Sequence, residues 1–196
     1  MYKQALLKCE PGRLHVKRIP IWSNILQIKG NNSDYAALKA KVIESPDLIS
    51  NVEEVIMLDV QRSAYNMPGV DPGTLTMVLK TYAYFNPEFE YCQGMNFIVG
   101  FLLMIFGDEE TAFKVLQTLV KRFKMADLFN QELPKLKLYF FQLDRLLAIV
   151  DQSLHGHFKE ECVNSSYFAS AWFITLFTNS LKQNQNESFV VNQSLL

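Results

Sequence analysis

Two short stretches of this chain carry polar residues where a helical protein would not need them for its core. In the first, Val52, Val55 and Ile56 form an apolar stripe, and the next position on that stripe is Asp59. An ionised carboxylate on a face meant for the core is costly unless something pairs with it. Arg62 follows three residues on and is its neighbour on a helix surface. The two can make a plain structural ion pair. Alternatively, Asp59 holds a guanidinium in place at a helix end, where its planar fork of donors suits a phosphate. The second stretch is Tyr91-Cys92-Gln93-Gly94-Met95-Asn96. Gly94 lets another backbone or a ligand come close. The segment opens an apolar helix, whose first N–H groups point outward and favour an anion. A glutamine there can donate to one oxygen and accept from a water; equally, this is a capped helix start with Gln93 in solvent.

These side chains need elements to hold them. Apolar residues recur mostly at helical spacing, and no long run alternates as a strand would. Trp22, Ile25 and Leu26 start a short helical segment that Gly30-Asn31-Asn32 ends, and Ser33-Asp34 can cap a second one carrying Tyr35 and Leu38, broken by Ser45-Pro46. Ser50-Asn51-Val52-Glu53 reads as a capping box for the Asp59 helix, which Asn66-Met67-Pro68-Gly69 stops. Asp71-Pro72 is an N-cap with proline at the first helical position. Leu75, Val78, Leu79 and Tyr82 then follow at i, i+3, i+4, i+7, and Asn86-Pro87 closes that helix. Phe97–Phe106 is a helix that is apolar throughout. Phe113, Leu116, Val120 and Phe123 mark another. Pro134 opens one carrying Leu136, Phe140, Leu143, Leu147 and Val150, and Tyr167–Phe177 is a dense aromatic one. The expectation is an all-α domain of about eight or nine helices with short connections.

Composition narrows the class of partner. The 196 residues suit one domain or one domain cut short. With 19 basic and 20 acidic residues the net charge is −1, whereas a nucleic-acid binder carries a basic excess. Cys9, Cys92 and Cys162 are odd in number and far apart, against a disulfide framework or a zinc knuckle. Residues 1–10 have no long apolar core, so no secretory signal is read there. The longest apolar run, Phe97–Phe106, falls short of the roughly 20 residues a membrane-spanning helix needs. A cytoplasmic, reducing setting fits, with any membrane association, peripheral at intracellular membranes, made through a partner or through sequence beyond this chain.

Taken together, Ile56-x-x-Asp59-x-x-Arg62 and, with Gln93 31 residues after Arg62, Tyr91-x-Gln93-Gly94-Met95 resemble the paired signatures of TBC-domain Rab GTPase-activating proteins. Pro20-x-Trp22 with Asn24 to Leu26, Asn86-Pro87, the Phe113–Phe123 helix, and Tyr167-Phe168-Ala169 with Trp172-Phe173-x-x-x-Phe177 extend the resemblance over about residues 18–181. It implies a two-lobed helical fold. The N-terminal lobe would span about 18–125 and carry both motifs, the C-terminal lobe would start at about 126–181, and 182–196 would be a polar tail. It also implies an activator rather than a stand-alone enzyme. Arg62 would enter the nucleotide site of a Rab-type GTPase and Gln93 would orient the attacking water, accelerating GTP hydrolysis and so regulating vesicle traffic. Asp59 would fix Arg62 and Tyr91 would pack behind Gln93, with Ile56, Gly94, Met95 and Asn96 in support. GTP and magnesium would come with the partner, so no cofactor or metal of its own is expected. Two features depart from the family pattern. Glu90 stands where the family often has glycine, and the chain stops soon after the aromatic helix, so a partial C-terminal lobe is expected. The rival reading is a non-catalytic Rab-binding or scaffold module, which would need neither Arg62 nor Gln93.

Two other chemistries were weighed. His155-Gly156-His157 with Glu160, Glu161 and Cys162 could suggest a metal site, but positions i and i+2 do not share a helix face and the glycine favours a loop. Cys92 as a nucleophile with His155 or His157 as base would need an unrelated hydrolase fold.

Overall fold

A computed structural model describes residues 14–26, 28, 34–87, 91–129 and 133–181. The expectations for Cys9, Gly30-Asn31-Asn32, Ser33, Glu90 and the 182–196 tail lie outside these residues. Ten α-helices and no strand are found among the described residues: α1 Leu14–Ile25, α2 Tyr35–Glu44, α3 Ser50–Ser63, α4 Pro72–Phe85, α5 Met95–Phe106, α6 Glu109–Arg122, α7 Ala126–Phe129, α8 Pro134–Val150, α9 Gln152–Glu160 and α10 Ser166–Ile174. The all-α expectation holds.

Local chemistry explains four of the ten helix starts. Asp34, Asp71, Asp108 and Asp151 each accept a hydrogen bond from the backbone N–H three residues on, which caps α2, α4, α6 and α9. α3 departs from the reading. Ser50 is already helical, with φ −55° and ψ −31°, because the 3₁₀ turn Pro46–Ile49 runs straight into the helix, and the Ser50 N–H bonds Asp47 O. No capping box forms. Glu53 instead pairs with Lys80 of α4. Trp22 and Ile25 lie at the end of α1 rather than its start, with Pro20 inside the helix.

The core is built by α2 to α6. On α4 the residues Leu75, Val78, Leu79 and Tyr82 are buried, as their spacing predicts. After Asn96, α5 is apolar along its whole length and is enclosed, packing against α3, α4 and α6. Met67, in the turn after α3, sits so close to Gly100 of α5 that a Cβ there would overlap its sulfur. Tyr35, Tyr82 and Phe85 surround the fully buried Phe113, with ring centroids 5.0–6.2 Å away. Trp22 packs on Phe106 and joins α1 to α5.

From residue 133 on, the packing changes. α8 meets α7, α9 and α10. Lys135 anchors it by donating to the carbonyls of Phe123 and Lys124 at the end of α6. Of the expected α8 stripe only Leu136 is fully buried, and Val150 is 74% exposed. The aromatic helix is shorter than predicted. α10 ends at Ile174, and the N–H groups of Leu176 and Phe177 turn back to Phe173 O and Trp172 O. Leu176 adopts φ 51°, so the chain closes with a left-handed residue after the last turn. His155 and His157 lie within α9, not in a loop. His155 faces Asp144 of α8 at 3.2 Å, and no group of three or more metal-ligating side chains exists among the described residues.

Candidate functional site

The last two turns of α3 and the loop that opens α5 meet at one polar cluster. Asp59 and Ser63 lie on the same stripe as Ile56 and Val60, and all four are buried, whereas Val55 is turned to solvent. Asp59 is 3% exposed, and its carboxylate is satisfied from two sides. Arg62 donates to Oδ1, and the Tyr91 hydroxyl donates to Oδ2 at 2.8 Å. The Arg62 side chain is 65% exposed, so the pair joins a fixed, desolvated acceptor to a guanidinium that stands mostly in solvent. Among the described residues that guanidinium pairs with Asp59 alone. Because the carboxylate is desolvated, loss of Arg62 would leave it with the Tyr91 hydroxyl as its remaining side-chain donor.

Local geometry defines the turn at residues 92–95. Gly94 is the N-cap of α5 at φ 106°, a conformation L residues rarely adopt. A Cβ at Gly94 would stand 2.7 Å from Cγ2 of Ile174 and 3.3 Å from that of Thr175. Glycine is thus required twice here, by its backbone angle and by the end of α10 lying against it. Met95 is fully buried, and its sulfur accepts from the Cys92 N–H at 3.3 Å. Gln93 is exposed at the crest of the turn.

The outward-facing N–H groups expected here are not free. The amide of Gly94 donates to Asn96 Oδ1, that of Met95 to Cys92 O, and that of Phe97 to Gly94 O. A tight turn and the Asn96 side chain thus use three of the donors that an open helix start would offer an anion. Of the polar side chains here, those of Arg62 and Gln93 are exposed.

Asn96, 2% exposed, completes the cluster. Its Nδ2 donates to Asp59 O at 3.2 Å and to Ser63 Oγ at 2.8 Å, and Ser63 Oγ donates to Asp59 O at 2.7 Å. Ser63 is the member that sequence reasoning missed. A signal existed, since a serine four positions after Asp59 prolongs the same polar interruption of the stripe. Tyr91 does more than pack. Burial first, and then the carboxylate of Asp59, pushes its phenol far up, so it remains a protonated donor. Burial, followed by Asp59, also pushes the Cys92 thiol up. A nucleophilic cysteine needs the opposite shift, so the hydrolase reading has no support.

Comparison with known proteins gives a consistent result. Residues 15–188 match the family model described as the Rab-GTPase-TBC domain. The chain is 35% identical over 182 residues to the "Ecotropic viral integration site 5 ortholog" of Drosophila melanogaster, covering 88% of this chain and 21% of that protein. It is 35% identical over 134 residues to the "Rab GTPase-activating protein eat-17" of Caenorhabditis elegans, covering 66% of this chain and 15% of that protein. Among solved structures it resembles the crystal structure of the Chlamydomonas flagellar RabGAP TBC domain. The TM-score is 0.76 and the identity 22%, over 95% of this chain and 62% of that one. The chain thus spans about a fifth or less of the length of these curated relatives. No helix among the described residues is long and apolar enough to cross a membrane.

Proposed function

The chain belongs to the Rab-GTPase-TBC domain family, and on that premise we propose that it accelerates GTP hydrolysis by a Rab-type small GTPase. Arg62 and Gln93 act in trans, so the nucleotide, its magnesium and the reacting bonds belong to the partner. The leaving phosphate gathers negative charge as its bond to the transferred phosphoryl loosens, and a guanidinium placed there offsets that charge. An arginine supplied in this way is worth about 10³–10⁵ in rate, on the order of 4–7 kcal/mol of barrier. Gln93 can accept from the attacking water and donate to a phosphate oxygen at once, replacing the partner's own glutamine.

The observation that carries this reading is the buried carboxylate of Asp59, which holds an exposed Arg62 on one oxygen and the loop of Gln93, through Tyr91, on the other. The cation of this pair stands in solvent, and Gln93 is exposed on the turn that Tyr91 ties to the same carboxylate. The relatives' names point the same way, since one is called a Rab GTPase-activating protein.

The test is GTP hydrolysis across a panel of GTP-loaded Rab proteins, with and without this chain. At least one member should hydrolyse faster by several powers of ten. That acceleration should survive replacement of the partner's own switch glutamine and should be lost with Gln93→Ala. Binding to a GTP-loaded Rab with no acceleration would leave the non-catalytic module as the correct reading.

A further inference from the structure

The Arg62 helix and the Gln93 loop come from separate parts of the chain, and their side chains can act on one nucleotide only if their spacing is fixed. Three hydrogen bonds cross between them. One is from Tyr91 to the Asp59 carboxylate, and the other two come from the Asn96 amide, which donates to Asp59 O and to Ser63 Oγ. The other end of the same amide accepts from the Gly94 N–H at 3.2 Å, with the Tyr91 hydroxyl also 3.5 Å away. Asn96 therefore grips the backbone on both sides of the gap. On one side it holds the carbonyl three residues before Arg62, and on the other the amide one residue after Gln93. Ser63 bonds the same carbonyl through its own hydroxyl, which closes a ring of Asn96 Nδ2, Ser63 Oγ and Asp59 O.

We infer that Asn96 and Ser63 are positioning residues that set the distance and orientation between Arg62 and Gln93. The inference rests on the proposed roles of those two side chains. Neither positioning residue reaches the partner, because Asn96 and Ser63 are each 2% exposed. Their action is on the geometry of the two that do. A displacement of about 1 Å in a reacting constellation can lower a rate by about 10²-fold, so the effect should fall on the chemical step and not on docking.

The experiment uses the full chain and a responsive GTP-loaded Rab under single turnover. The saturating rate and the half-saturating concentration are measured separately, with a thermal melt for each variant. Asn96→Ala should lower the saturating rate by about 100-fold, leaving half-saturation within about twofold, and Ser63→Ala should act in the same direction by about tenfold. The double variant should be no worse than Asn96→Ala, because the two share one ring. Ser63→Thr, which keeps the hydroxyl, should restore most of the rate lost in Ser63→Ala. An unchanged saturating rate in a folded variant, or a change in half-saturation alone, overturns the inference. If Asn96→Ala does not fold, Ser63→Ala and Ser63→Thr decide it. Amide hydrogen exchange separates this outcome from failure of the functional reading. The Gly94 amide should be protected in the unaltered protein and should exchange at least tenfold faster in Ser63→Ala, whether or not any Rab responds. An unprotected Gly94 amide contradicts the clamp itself.

Discussion

Residues 34–129 and residues 133–181 are both helical and both rich in aromatic side chains, yet they are packed differently. In the first region Tyr82, Phe113, Ile56, Leu75, Met95 and Leu102 are shut off from water. In the second, Leu136 and Ala169 are the only described apolar residues buried to that degree, and Leu146, Ile149, Val150 and Tyr167 stand more than half exposed. Its rings do touch: Tyr139 and Phe173 lie 5.2 Å apart, and Phe168 and Trp172 5.3 Å apart. They form a layer, however, where Phe113 sits inside a shell. Ring contact and ring burial are separate quantities, and only burial contributes the full hydrophobic term. The first region carries the candidate site. The second reaches that site at one place, where Ile174 and Thr175 lie against Gly94.

The comparison can be broken most sharply by truncating one ring in each region. Phe113→Ala removes a side chain with no exposure and should destabilise the protein by about 3–5 kcal/mol. Phe141→Ala, at a position 60% exposed, should stay within about 0.5 kcal/mol of the unaltered protein. Chemical denaturation of both variants checks this, and equal losses would mean that the two regions are packed alike in solution.

The next effect in size concerns the seam. Gly94→Ala should destabilise by more than about 1 kcal/mol, because it adds backbone strain to a collision with Ile174. Combining it with Ile174→Ala should recover the part due to collision and leave the part due to φ. A double-variant melt no better than that of Gly94→Ala alone would show that the α10 contact is not made.

The smallest effect is electrostatic and lies wholly in the first region. Burial pushes the Glu109 carboxyl up, but hydrogen bonds from Lys39 and Tyr35 outweigh it and hold the group below its ordinary 4.5. A depressed carboxylate stabilises the fold above its unfolded value and loses that contribution as pH falls through the folded one. The difference in melting temperature between the unaltered protein and Glu109→Gln should therefore be constant above about pH 5 and shrink below it. A difference that grows on acidification contradicts the assignment.

The sequence made part of this legible for a local reason. Asp71-Pro72 and the spacing of Leu75, Val78, Leu79 and Tyr82 define α4 without reference to the rest of the chain, and the cap and the burial are both found. Asp59 could be singled out because a carboxylate on an apolar stripe is a local contradiction. What could not be read depended on neighbours. The capping box at Ser50 and Glu53 failed because the preceding turn already satisfied Ser50, and because Lys80 on another helix pairs with Glu53. The first N–H groups of this helix read as open to an anion, but the Gly94 amide beside them is held by a side chain two residues away. The bond from Asn96 to Ser63 spans 33 residues, and no spacing rule reaches that far. α10 ended early where Leu176 and Phe177 take left-handed backbone and their N–H groups turn back to Phe173 O and Trp172 O, which the run of aromatic residues did not signal.

The account turns on one guanidinium. The most direct measurement is single-turnover GTP hydrolysis by a responsive Rab with the unaltered chain, Arg62→Ala and Arg62→Lys, each variant first shown by its melt to be folded. Arg62→Ala takes the cation from a carboxylate that is 3% exposed, so its melt should fall further than that of Arg62→Lys, and rates are compared only where both variants are folded. Both should lower the stimulated rate by about 10³-fold or more, lysine included, because a point charge lacks the bidentate fork that Asp59 holds in place. A stimulated rate near that of the unaltered chain in folded Arg62→Ala would contradict the central claim.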